Sequence, residues 1–319
     1  MGFVRTTLVW CIALSLGIWL PGIADAQDAQ KGKLGSADEL STETSNPLGG
    51  DFMIWQNQFN LDWQDGDLVA KEDDPNSITH VFQPVMPFAL DETLGENWLA
   101  VLRPTLSFVY SADLPSGPGT TPGTVRFSNE RGIGDLGLFG LVGQSIPQKN
   151  TFLGDGDFVW AAGVTAQVPI GSDKFSKDVW QVGPAGSLAF PGKDWSFAVL
   201  GQHFWDVADA GNNPQDINQT LMQLFYFRNL PGGWSIGGQP TIVYDWETDD
   251  LTAPIGLGVS KVVFLGKLPI KVGIEAQYFV AKPDPFGTEF KALLTFSPIT
   301  PNFVANLLNG RPLMSVGGN

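Results

Sequence analysis

The sequence predicts an all-β fold, a closed antiparallel transmembrane β-barrel of about 12 strands that follows a cleaved export signal. Three observations carry this: strict side-chain alternation, aromatics spaced at membrane height, and connections that alternate between long and tight. Trp234, Ile236, Gly238, Pro240, Ile242, Tyr244 and Trp246 share one parity, while Ser235, Gly237, Gln239, Thr241, Val243, Asp245 and Glu247 share the other. Successive side chains of a strand point to opposite faces, so one face here is apolar and the other wet. Trp234 and Trp246 are 12 residues apart, which at about 3.3 Å per residue and about 40° of tilt spans roughly 30 Å, close to an apolar band flanked by aromatic girdles. Trp98 and Tyr110 repeat that spacing, and Trp55 and Trp63 bracket the first strand. All six are expected at lipid interfaces, where rings with a polar tip are favoured.

In chain order, residues 1–26 combine Arg5, an apolar run of 13 residues from Leu8 to Leu20, the breakers Pro21 and Gly22, and Ala24-Asp25-Ala26. This is the pattern of a secretory signal peptide with a small-x-small cleavage site. The run is shorter than the roughly 18 residues a spanning helix needs. Cys11 lies inside this leader without the small neighbours of a lipid-attachment box. The mature chain is therefore expected to lack cysteine, which excludes disulfides and thiolate metal sites. Residues 27–50 are polar and small-rich, and are expected to form a flexible periplasmic segment or a short lumen insert.

The barrel is expected over residues 51–297, with strands beginning near 51, 77, 97, 132, 156, 178, 193, 215, 232, 252, 268 and 287. Several alternate cleanly: Met53, Trp55, Phe59, Leu61 and Trp63 oppose Gln56, Gln58, Asn60 and Asp62, and Ile270 to Val280 alternates with Lys271, Gly273, Glu275 and Gln277. The fourth segment (Gly132 to Ile146), the eighth and the tenth carry apolar residues on both parities, as bulges or a partly apolar lumen would produce. Gln64 to Asn76, Ser111 to Arg131 and Asp206 to Gln215 read as long outer loops, against tight turns at Pro191 to Asp194, Leu230 to Gly233 and Leu265 to Lys267. Pro147 to Asp155 is longer than a turn on that side should be. Twelve strands about 4.8 Å apart at about 40° give a backbone radius of roughly 12 Å, leaving a narrow lumen once side chains fill it. Residues 298–319 are expected to form a periplasmic tail or a short plug, with Phe296 or Phe303 as the terminal aromatic read by the barrel-assembly machinery.

The net charge is -15, and the leader carries one base and one acid, so its removal leaves that value unchanged. Such a chain is a poor partner for nucleic acid. It carries no phosphate loop, nucleophile elbow or metal-binding histidine pair, and no cofactor is implied. His80 and His203 fall on different strands, where they act as hydrogen-bonded wall residues or belong to a triad assembled across strands. The residues expected to line the pore are Asp62, Arg103, Gln239, Asp245, Lys271, Glu275, Gln277, Glu289 and Lys291. Lys271 or Glu275 could pair with Lys291 or Glu289 in inward salt-bridge ladders that rank solutes by charge and size, or the same residues could simply hydrate and brace the interior. Acidic runs in the outer loops, such as Asp65 to Asp74, read mainly as solvated charge, since they lack the ligand spacing of a calcium loop.

The glycine-rich segments Gly132 to Gly137 (GIGDLG), Val168 to Gly171 (VPIG), Leu230 to Trp234 (LPGGW) and Pro254 to Gly258 (PIGLG) occur in an order and spacing that resembles a family of Gram-negative outer-membrane proteins. That family is named for the meta-pathway of phenol degradation, and some members carry the label neuromedin U. The similarity runs from about Asn46 to Pro301. It implies a closed barrel in the outer membrane and passage of small, hydrophobic or aromatic molecules, and it supplies no catalytic residues. The leading expectation is thus a non-enzymatic channel whose partners are outer-membrane lipids and a small solute. The alternatives are a barrel enzyme acting on lipids and a plugged structural or adhesive barrel.

Overall fold

A computed structural model describes residues 34–46, 48, 52–116, 125–151 and 154–308. The expected signal peptide and residues 309–319 of the tail lie outside the described residues. The elements are α1 (Ala37–Glu43), β1 (Phe52–Asp65), β2 (Asn76–Ala89), α2 (Asp91–Leu94), β3 (Trp98–Ser116), β4 (Arg126–Ile133), β5 (Leu136–Thr151), β6 (Gly154–Val168), β7 (Val179–Pro191), β8 (Trp195–Asp209), β9 (Asn218–Leu230), β10 (Trp234–Gly238), β11 (Thr241–Asp245), β12 (Asp250–Leu265), β13 (Leu268–Ala281), β14 (Gly287–Pro301) and α3 (Phe303–Leu308).

Each strand pairs antiparallel with its neighbours, and β1 pairs with β14, which closes the sheet. The described strands make twelve staves, because two staves are interrupted. The arms β4 and β5 both pair with β3, and β10 and β11 both pair with β9 and β12. Closure gives every stave two hydrogen-bonded neighbours, the condition for placing β-structure in hydrocarbon. The interruption at Gly134 and Asp135 has a local cause. The Asp135 carboxylate accepts the backbone N–H groups of Gly171 and Lys177 at 3.0 Å each, drawing the strand toward the connection after β6. The second break falls at Gln239 and Pro240, where proline cannot donate to the ladder.

Strand starts agree with the sequence expectations to within three residues except on the broken fourth stave. Three connections differ from expectation. Much of Ser111 to Arg131 is hairpin, since β3 runs to Ser116 and β4 begins at Arg126. Pro147 is no turn: β5 continues through it, opposite Asp157 of β6. Likewise β8 runs to Asp209, into the segment read as an outer loop.

The parity rule holds around the ring. Val164, Ile255, Leu257, Ile274, Tyr278 and Val280 are exposed on the outer face. Gln58, Asp62, Arg103, Gln181, Lys271, Glu275, Gln277 and Ser297 are buried on the inner one. The inner wall is divided by chemistry. Across β2 to β9 it is predominantly apolar, with Val85, Val101, Phe139, Leu141, Val159, Leu200, Phe225 and Phe227 in one cluster that also takes in Ile54 and Leu48. Across β10 to β14 and β1 lie most of the inward charges.

Part of the segment before β1 occupies the lumen at the end that carries the tight turns. Ser36 caps α1 and forms a reciprocal pair with Glu39: its Oγ accepts the Glu39 N–H at 3.3 Å and its own N–H donates to Glu39 Oε2 at 2.8 Å. Leu40 is fully buried against Val262 and Ile299, with Phe52 and Phe264 beside them. The helix is pinned to the β9–β10 turn. Gly233, held at φ 74°, donates its N–H to Asp38 Oδ1 at 2.6 Å, and Ser41 Oγ meets Ser235 Oγ at 2.7 Å. A Cβ on Gly233 would stand 2.8 Å from that of Ala37, so both the turn and the docking of α1 call for glycine. At the far end of the chain, α3 takes a different place. Phe303 stacks on the outward-facing Trp55 at 6.0 Å, so the described part of the tail sits on the barrel's outer side.

Candidate solute site in the lumen

The lumen cavity lies between the insert and the two arcs of wall and is open to solvent. Ile54, Val85, Phe225 and Phe227 supply apolar surface. Ser235, Gln239, Ser260 and Ser297 supply polar groups, and Arg103, Lys271 and Glu275 supply charge. Thr44 and Asn46 complete the wall from the insert, so the inserted segment is part of the site and also its obstruction.

Each charge arrives by strand register. Lys271 and Glu275 are four residues apart on β13 and therefore share the inner face. Lys271 Nζ donates to Thr44 O at 3.3 Å and Ser45 Oγ at 3.4 Å, and lies 5.0 Å from the centre of the Phe227 ring. Glu275 accepts the Gln239 N–H at 3.1 and 3.2 Å and the Gln277 amide at 2.8 Å, so it closes the break between β10 and β11 from inside. Lys291 pairs with Asp62 at 3.3 Å, because the β1–β14 register sets them directly opposite. Of the two readings of these charges, the ladder has no register between β13 and β14: Lys271 faces Ser297 and Glu275 faces Leu293. Asp245 and Glu289 share the inner parity but stand near the rim at the long-loop end.

Arg103 is different from all of these. It comes from β3, on the apolar arc, is 5% exposed, and its guanidinium carbon lies 4.5 Å over the Phe139 ring. Among the described residues no acceptor meets its guanidinium, and Nε is fully enclosed without a partner. Arg103 was legible as an inward residue, but its lack of a partner was not.

The six interface aromatics point outward. Trp63, Tyr110 and Trp246 are exposed at the long-loop end, while Trp98 packs edge-on against Trp160 and Trp234 lies beneath Lys261 near the tight turns. Trp55 donates its indole N–H to Thr300 at 3.0 Å. Both histidines also face outward. His80 Nε2 meets Asn57 Oδ1 at 3.0 Å and its Nδ1 meets the Tyr110 hydroxyl at 3.4 Å, whereas His203 Nδ1 meets Thr220 Oγ1 at 2.7 Å. No serine hydroxyl contacts either imidazole among the described residues. In the outer loops Glu72, Asp73 and Asp74 are exposed, and no described cluster of acids and histidines converges as metal ligands would.

Fold and lumen together define a transmembrane β-barrel of the outer-membrane type, with an interior partly filled by its own N-terminal segment. No family model matches the chain, and no curated protein matches it. Among solved structures it is similar to the COG4313 outer membrane channel from Pseudomonas putida F1, at 14% identity and a TM-score of 0.54, covering 80% of this chain and 97% of that one. It is also similar to the Salmonella typhi outer membrane phospholipase OMPLA (12% identity, TM-score 0.37, covering 83% and 96%) and to a Pseudomonas aeruginosa FadL homologue (10%, 0.33, 81% and 93%). At these identities the first likeness speaks to the barrel fold, and the other two carry no further weight.

Proposed function

We propose that this protein is an outer-membrane channel for passive movement of small molecules with substantial apolar surface, of the phenol-degradation family its glycine-rich segments resemble. The observation that carries the reading is the two-sided lumen. A pore for sugars or ions is wetted all round, whereas this cavity sets Val85, Phe225 and Phe227 against a polar arc. An apolar solute gains about 25 cal/mol per Å² of surface taken out of water, so such a wall retains an aromatic ring and offers little to a sugar. The structure of the COG4313 channel, an outer membrane channel by name, supports the choice of class. Residues 1–26 are read as the export signal, and the closed sheet with its apolar outer face supports assembly into outer-membrane lipid.

The test is solute flux into liposomes bearing the purified protein, comparing a small aromatic with a sugar of similar size. The comparison is repeated with residues 27–50 removed and with Lys271 and Glu275 neutralised. The expected result is faster entry of the aromatic, and faster entry of both without the insert. If neither solute crosses in any form, the channel reading fails and a sealed structural barrel takes its place.

A further inference from the structure

We infer that the lumen holds a built anion site at Arg103, and that its ligand class is the amphipathic monocarboxylate: one carboxylate on an aromatic or short alkyl body. The inference rests on the channel reading for its access route but on Arg103 for its chemistry.

The argument is one of charge and of hydrogen bonds. Of the three charged residues that line the cavity, Lys271 and Glu275 are of opposite sign on the same strand face, which leaves Arg103 in excess. The Asp62–Lys291 pair is already closed on itself. A guanidinium carries five N–H donors in a planar fork, and buried polar groups in native proteins nearly always have partners. Phe139 satisfies the charge in part through its ring face but accepts no N–H in the guanidinium plane. A carboxylate does both, since its two oxygens match the fork bidentately.

The surroundings select the rest of the molecule. Val85, Phe225 and Phe227 line the cavity with Arg103, and Phe139 and Leu141 back them. Ser260 and Ser297 also line it, and their hydroxyls are enclosed without partners, so the arc facing the apolar wall is polar. A dianion such as phosphate would need a second free cation, and Lys271 is committed to Thr44 and Ser45. A cationic solute would meet the unbalanced positive charge. One negative charge on an apolar body fits both features.

The test measures equilibrium binding to purified full-length protein in detergent micelles by fluorine NMR, with 4-fluorobenzoate, the neutral isostere 4-fluorobenzamide, and 6-fluorohexanoate as the alkyl arm. Tighter binding of 4-fluorobenzoate than of the amide by at least about tenfold is expected, in line with a charge-assisted pair in a water-poor site. Arg103→Gln is expected to abolish the preference, and Arg103→Lys to keep part of it. Equal binding of acid and amide by the wild-type protein overturns the inference, and that comparison needs no variant to fold. A preference that survives in folded Arg103→Gln protein overturns it as well. Binding of 6-fluorohexanoate as tightly as 4-fluorobenzoate assigns the site to carboxylates of either body, and weaker binding assigns it to aromatic ones. Because binding is read in micelles, absent flux in liposomes refutes the channel without touching the site.

Discussion

Truncating Leu40 to alanine isolates the free energy that holds the insert in the lumen. The side chain is fully buried between Val262, Ile299, Phe52 and Phe264, and all four sit on strands whose backbone cannot close in on the space left behind. Leucine-to-alanine changes at such sites cost about 2–5 kcal/mol, the larger values where little collapse is possible. The seven-residue helix can leave without unfolding the sheet, so the loss falls on local opening. About 3 kcal/mol corresponds to roughly a hundredfold shift in the opening equilibrium. Native-state hydrogen exchange reads it directly, through the amides of Leu40, Thr44 and Ser45, which donate to Ser36, Leu40 and Thr42. Their protection is expected to fall about a hundredfold while amides of β13 are unchanged. Ser41→Ala supplies the scale: it removes one hydrogen bond and leaves Ser235 bonded to Asn229, so about 1 kcal/mol and roughly fivefold is expected. Protection that falls equally in β13, or fails to fall in the helix, would refute the docking described above.

Two further perturbations probe the wall. Lys291→Met strands the Asp62 carboxylate in the lumen and is expected to destabilise the folded barrel by about 3 kcal/mol in urea titration, with Asp62→Asn in the same chain recovering most of it; an unchanged midpoint in the single variant would refute the pair's structural role. Ile274→Arg places a cation near mid-height on the outer face and is expected to cost about 2–4 kcal/mol in lipid vesicles, so a loss well under 1 kcal/mol would mean that this face does not meet hydrocarbon.

The barrel was legible because its physics is local. Hydrocarbon outside forces apolar side chains onto every second position, and Trp234 to Trp246 or Trp55 to Trp63 display that without knowledge of any partner strand. Legibility faded where the inside is apolar too. Leu141, Val159, Leu200, Phe225 and Phe227 all point inward, so β5, β6, β8 and β9 lose the contrast between faces from which register is read. The break at Asp135 depends on amides from residues 36 and 42 positions later, which no local pattern encodes. Helix α1 was hidden for another reason: seven residues bury one leucine and one serine, too few to show a 3.6-residue period. At the site, parity sets the charges on one face of each strand, but their pairing comes from cross-strand register. Lys291 found Asp62 directly opposite and Lys271 found the insert, and Arg103 found nothing.

The insert precedes β1 in the chain, while the ring is sealed by β14, the last of the described strands. The stopper is therefore synthesised before the bottle, and the final seam joins around a neck that α1 already occupies or must afterwards enter from the tight-turn side. Assembly and occlusion are consequently one ordering problem, and a chain delayed at the β1–β14 seam would present Leu40 and Leu48 to solvent as sticky ends with nowhere to dock.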